Sequence, residues 1–141
     1  MEQVVMTENE QKKEYLNQYR NHVKKIKRIE SDLEEIKTMK RYPSVNNDGM
    51  PHGNNNSDLS GYAALLDEKE RELERERYLR VKSYTEISNQ IGLLENETER
   101  DLLHYRYIKG IAWWRVAEEL ECSERWVHKL HGKALNNFKI P

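Results

Sequence analysis

The stretch from Glu8 to Lys40 contains neither glycine nor proline, and that constrains the fold of this chain more than any other feature. A polar stretch of this length without helix breakers is helical if apolar residues return every three or four positions. They do, at Tyr15, Tyr19, Ile26, Ile29, Leu33 and Ile36, with His22 completing the alternation as the polar member of the series. This heptad seam predicts a helix of about 50 Å at about 1.5 Å per residue.

Arg41 to Gly61 reverses the composition. Pro43, Pro51, Gly49, Gly53, Gly61 and five asparagines predict a loop that turns the chain back. Asp58 or Ser60 is placed to cap the next helix. That second helix is predicted from near Leu59 to about Ile91, with Leu66, Leu73, Tyr84, Ile87 and Ile91 on its apolar side. Its middle, Asp67 to Arg77, is nearly all charge of mixed sign, which reads as a solvated face held by i,i+4 pairs. Residues 1–92 are therefore expected to form an antiparallel hairpin, a dimeric bundle, or both. The tyrosines along it are expected to bury their rings while their hydroxyls reach water at the seam edge.

Charged residues make up 35% of the chain and hydrophobic ones 36%, which suits long solvated helices. Lys and Arg number 24 against 25 Asp and Glu, a net charge of −1, so a binder of nucleic acid would have to rely on a local patch. Cys122 is the single cysteine, which excludes an internal disulfide framework and fits a reducing cytoplasm. No apolar run approaches the roughly 20 residues that cross a bilayer. Met1 to Thr7 is too short and polar for a signal peptide. A cytoplasmic protein without membrane contact is expected.

Residues 93–141 are predicted to form a separate three-helix domain. The first helix runs from about Glu97 to Ile108, with Leu102, Leu103 and Tyr107 on one face. Gly110 then fits a left-handed stop. The second runs from about Trp113 to Leu120, with Trp113, Val116, Ala117 and Leu120 inward. Glu121, Cys122 and Ser123 make a tight turn, Cys122 pointing inward and Ser123 capping a third helix that reaches about Phe138. That helix turns Val127, Leu130, Ala134, Leu135 and Phe138 to the core. Two short helices joined this way are a helix-turn-helix. Two places depart from its usual chemistry. Glu121 stands where glycine would relieve a positive φ, a cost of about 1 kcal/mol, and Ala112 stands where a capping Ser or Thr is expected.

The third helix gathers cations. Between Ser123 and Lys139, Arg125, Lys129, Lys133 and Lys139 oppose Glu124 alone. Arg125, His128 and Lys129 share the outward face of its first two turns, which in this motif enters the major groove. Lys133 and Arg115 are placed for phosphate contacts. Trp113 is expected in the core and Trp114 partly exposed. Trp126 either packs beside a DNA backbone or polymerase surface, or folds back on Trp114 or the second helix. His128 and His131 are assigned to the outward face and Cys122 to the interior, so with His104 they make no converging zinc site. No Walker loop, dinucleotide fingerprint, HExxH or oriented base for Cys122 is present. The expectation is a non-enzyme with no cofactor.

SERWVHKLHGKALNNF, from Ser123 to Phe138, resembles region 4.2 of bacterial primary sigma factors: Ser123, Val127, Leu130, Ala134, Leu135 and Phe138 fill that pattern in order. ETERDLLHYRYIKGIAWWRVAEEL resembles region 4.1 and the first helix of the motif. The whole chain is similar to a family of small sigma-region-4-like proteins of phages and prophages of Gram-positive bacteria, long catalogued as a domain of unknown function. The segments that carry this are KEYLNQYRN at Lys13–Asn21, GMPHGNNNSD at Gly49–Asp58 and RWVHKLHGKAL at Arg125–Leu135. The resemblance implies an all-α regulator of transcription that binds duplex DNA, with base contacts on Glu124, Arg125, His128 and Lys129. The residue types there differ from those of sigma factors, so their promoter element is not implied. Nothing corresponds to sigma region 2. The expected DNA-facing set is Arg115, Ser123, Glu124, Arg125, Trp126, His128, Lys129 and Lys133. The expected partners are duplex DNA, a second copy joined through the N-terminal helices, and RNA polymerase. The competing reading is a coiled-coil adaptor for RNA polymerase or a phage packaging component, or a small DNA-packaging subunit.

Overall fold

The computed structural model describes residues 6–41 and 55–141, and their regular structure is entirely helical. The helices are α1 (Glu8–Arg41), α2 (Asn55–Gly92), α3 (Glu97–Leu103), α4 (Trp113–Glu119) and α5 (Glu124–Asn137). One π-helical turn, His104–Ile108, continues α3. The α2 helix starts earlier than expected: Asn55–Gly61 is helical, so Asp58 and Ser60 lie inside the helix rather than capping it. Asn, Ser and Asp are residue types that a first helical turn accepts readily. Arg41 belongs to α1, and the expected linker between 42 and 54 falls outside the described residues.

The chain divides into two compact units, Val23–Leu79 and Met1–His22 with Arg80–Pro141. In the first, α1 and α2 run antiparallel. Lys25 meets Glu76 at 3.0 Å, Glu30 meets Arg77 at 3.5 Å and Asp32 meets Lys69 at 3.7 Å. Ile26, Ile29, Leu33 and Leu73 form the core, with Leu66 packed on it. Glu76 sits in this seam at 6% exposure. Its carboxylate is tolerable there because it is paired.

The second unit brings the start of α1 and the end of α2 together with the three short helices. Its core includes Leu16, Ile87, Leu102, Leu103, Val116, Val127, Leu135 and Phe138, each nearly or wholly inaccessible. The Tyr15 ring lies 5.9 Å from Phe138, and Tyr19 packs edge-on against Tyr84 at 5.5 Å. Lys12 is buried, and its Nζ donates to the Leu135 carbonyl at 2.8 Å. A cation on a last-turn carbonyl of α5 both satisfies that oxygen and complements the helix dipole.

The α1 seam is shifted from the expected one. The buried positions are Lys12, Leu16, Tyr19, Val23, Ile26, Ile29, Leu33 and Ile36, whereas Tyr15 and His22 are half-buried. Both series lie on one helical stripe. The wholly apolar Leu16 and Val23 are sealed within it, and Tyr15 and His22 take its border. Even so, the Tyr15 hydroxyl does not reach water: it is enclosed, has no hydrogen-bond partner, and burial beside Glu86 raises its pKa.

Candidate nucleic-acid interface

Local chemistry explains how α5 is presented. Ser123 is extended, and its Oγ accepts from the Trp126 N–H at 3.1 Å, opening the helix as a side-chain cap. The turn before it holds Glu121 at φ 55°, the left-handed conformation that its position demanded. Gly110 takes φ 68° after the π turn. Ala112 starts α4 without any side-chain cap, as its methyl dictates. Asn96 caps α3 through a 3.0 Å bond from the Glu99 N–H.

Val127, Ala134, Leu135 and Phe138 face the interior and Leu130 is half-buried, so the opposite side of α5 is left to solvent. All eight residues singled out from the sequence are exposed: Arg115, Ser123, Glu124, Arg125, Trp126, His128, Lys129 and Lys133. Helical register brings Arg125, His128 and Lys129 onto one face of the first two turns. Lys133 leans over the Trp126 ring, 5.7 Å from its centroid, so this tryptophan packs along its own helix. Trp114 is 55% exposed. Cys122 is half-buried rather than fully interior, because the turn leaves one side of it uncovered.

His131 departs from the expectation. It is buried, not outward, and its Nε2 lies 2.7 Å from the Tyr107 hydroxyl. It stands two positions beyond Lys129, a rotation of about 200° around the helix axis. That turns it under Trp113, whose ring is 4.6 Å away. Burial chiefly, with the electrostatic influence of Lys13, His128 and Arg106 adding to it, lowers its pKa to about 4. Burial raises the Tyr107 pKa to about 12. Both groups are therefore neutral near pH 7 and hold each other as a buried polar pair. Trp113 is half-buried rather than in the core. It bridges this pair to the surface, with His128 at 5.1 Å and the Arg106 guanidinium 4.4 Å over its ring. The sequence offered one signal for this lock, the spacing of His128 and His131, and that signal could equally be read as two outward residues.

No three His, Cys, Asp or Glu side chains converge as a metal site among the described residues. No described helix is long and apolar enough to cross a membrane. A depression of about 520 Å³ lies among Leu93, Asn96, Glu99, Asn137 and Lys139. Another, about 430 Å³, is lined by Trp114, Ala117 and Cys122 with Glu118, Glu121 and Glu124. No curated protein and no solved structure matches the chain. A family model described as "Protein of unknown function (DUF1492)" matches residues 41–139, which is most of the sequence, and the chain belongs to that family.

Proposed function

We propose that this protein is a regulator of transcription, of phage or prophage origin, that binds duplex DNA through α4, the Glu121–Ser123 turn and α5 in the manner of sigma region 4. The observation that carries the reading is the outward face of α5. Arg125, His128 and Lys129 stand exposed on a helix whose other side is anchored in a core. Arginine and lysine on such a face read guanine edges in the major groove. Arg115 and Lys133 serve the phosphates, which position without specifying. No catalytic step or cofactor enters this reading.

The test is selection of bound duplexes from a random pool, followed by retardation with the selected sequence. Arg125→Ala with Lys129→Ala should abolish specific retardation while helical circular dichroism is retained. Unchanged retardation would refute the recognition-helix assignment.

A second reading has its own support. Trp114 is exposed beside the acid-rimmed depression at the turn, a surface suited to a protein partner. In that reading the chain is an adaptor with weak DNA contact. Salt separates the two: DNA affinity should fall steeply as salt rises, whereas an apolar protein contact should not.

A further inference from the structure

In the unit Val23–Leu79, Lys25, Lys69, Arg71 and Arg77 are in ion pairs. The other unit has an ion pair as well. Lys12 pairs there with Glu8. Among the described residues, Lys13, Arg20, Arg106 and Lys109 have no carboxylate partner, and neither do the cations of α5.

These unpaired cations lie together, although they come from separate parts of the chain. The Arg20 guanidinium, from α1, rests on the backbone of Gly110, where an added Cβ would collide with it. Lys109 is the neighbouring residue and is exposed. Arg106 donates through Nη1 to the Ile111 carbonyl at 3.0 Å, on the far side of the same short loop, and covers Trp113. Trp113 in turn meets His128 of α5. Lys12 is tied to the Leu135 carbonyl, one turn along α5 from His131, which places this turn of α1 beside that helix. The electrostatic influence of Lys13, Arg106 and His128 on His131 agrees with that proximity. Acids lie nearby as well: Asp101 acts on His104 together with Lys109, and Glu14 follows Lys13 in α1.

We infer that Lys13, Arg20, Arg106 and Lys109 form a second phosphate-binding strip, continuous through His128 with the outward face of α5, and that α1 is thereby part of the DNA interface. The strip flanks the loop that leads into α4. A duplex seated on α5 would carry its backbone past this loop. Guanidinium and ammonium groups left without carboxylate partners have their full charge available for phosphate, and each one engaged releases counterions. Its contribution is affinity and orientation, without sequence preference.

This inference rests on the proposed DNA binding, and the experiment distinguishes failure of one from failure of the other. Full-length protein is titrated by fluorescence anisotropy onto the selected duplex and onto a scrambled duplex, across a salt series. Lys13→Ala with Lys109→Ala alters two exposed residues and should leave circular dichroism unchanged. Affinity should fall several-fold, and equally on both duplexes. The slope of log affinity against log salt should become shallower by about 2, close to one for each phosphate no longer engaged. Lys13→Arg with Lys109→Arg should restore the wild-type slope. Lys24→Ala with Lys37→Ala, in the other unit, should leave it unchanged. An unaltered slope for Lys13→Ala with Lys109→Ala would overturn the strip, provided that Arg125→Ala with Lys129→Ala still weakens binding. An equal loss from the Lys24 and Lys37 pair would overturn it too, because position would then not matter. If none of the variants changes binding, the DNA-binding reading itself fails.

Discussion

His131 is the residue whose chemistry most depends on its surroundings. An exposed histidine beside DNA would carry charge and contribute to affinity. This one is neutral, hydrogen-bonded to Tyr107 and packed under Trp113. Its role is to hold α5 against the π turn, so that the neighbouring His128 and Lys129 keep their outward aim. The pair also links folding to pH. The folded-state pKa of His131 is about 4 against an ordinary 6.5, so between these values the unfolded chain binds more protons than the folded one. Its contribution to stability is complete above about pH 6.5 and is lost as pH falls toward 4. Thermal midpoints measured across that window should decline. His131→Gln should flatten the part of the decline between pH 6.5 and 5, before most carboxylates begin to titrate. An identical slope in the variant would show that the histidine is not what is being titrated.

At the scale of elements, the helix-turn-helix is held by a few backbone positions. Glu121 occupies a left-handed conformation that costs a non-glycine residue about 1 kcal/mol. Glu121→Gly should therefore raise the urea midpoint, by an amount corresponding to a few tenths to about 1 kcal/mol, since glycine also loses more entropy on folding. Gly110→Ala should do the opposite, because its positive φ strains any residue with a Cβ and the Arg20 guanidinium would have to move aside. A destabilised Glu121→Gly would mean that the glutamate side chain makes a contact worth more than the strain. The π turn His104–Ile108 belongs at this scale as well. A π turn rotates the residues beyond it relative to a continued α-helix. Here it ends with Tyr107 and Ile108 both buried, and places Arg106 over Trp113. The hydrophobic pattern predicted one uninterrupted helix to Ile108, since a single π turn leaves the spacing of Leu102, Leu103 and Tyr107 almost unaltered.

At the scale of the whole chain, a lone helix-turn-helix buries only about 600–1,000 Å² of its own surface on DNA, little for tight specific binding. The homodimer expected from the N-terminal helices would set two of them on a repeated site. In the hairpin, α2 already covers the α1 seam, so a second copy joined through these helices must use their outer faces, where Tyr78 is 67% exposed. Sedimentation equilibrium should give twice the 17.0 kDa chain mass, and Tyr78→Glu should return it to one. A wild-type mass of one chain at concentrations that bind DNA would exclude the dimer. How much of this was readable from residues alone depends on the range of each interaction. Helix existence, the Ser123 cap, the left-handed Gly110 and Glu121, and the exposed Arg125, His128 and Lys129 depend on neighbours within one or two turns, and periodicity and capping chemistry were enough to place them. The centre of the α1 seam, the burial of His131 and the convergence of Lys13, Arg20, Arg106 and Lys109 depend on what lies across the interface from a distant part of the chain. Spacing constrains a side chain to a stripe about 100° wide. Only packing against another element decides which residue in that stripe is sealed from water and which is left at its edge.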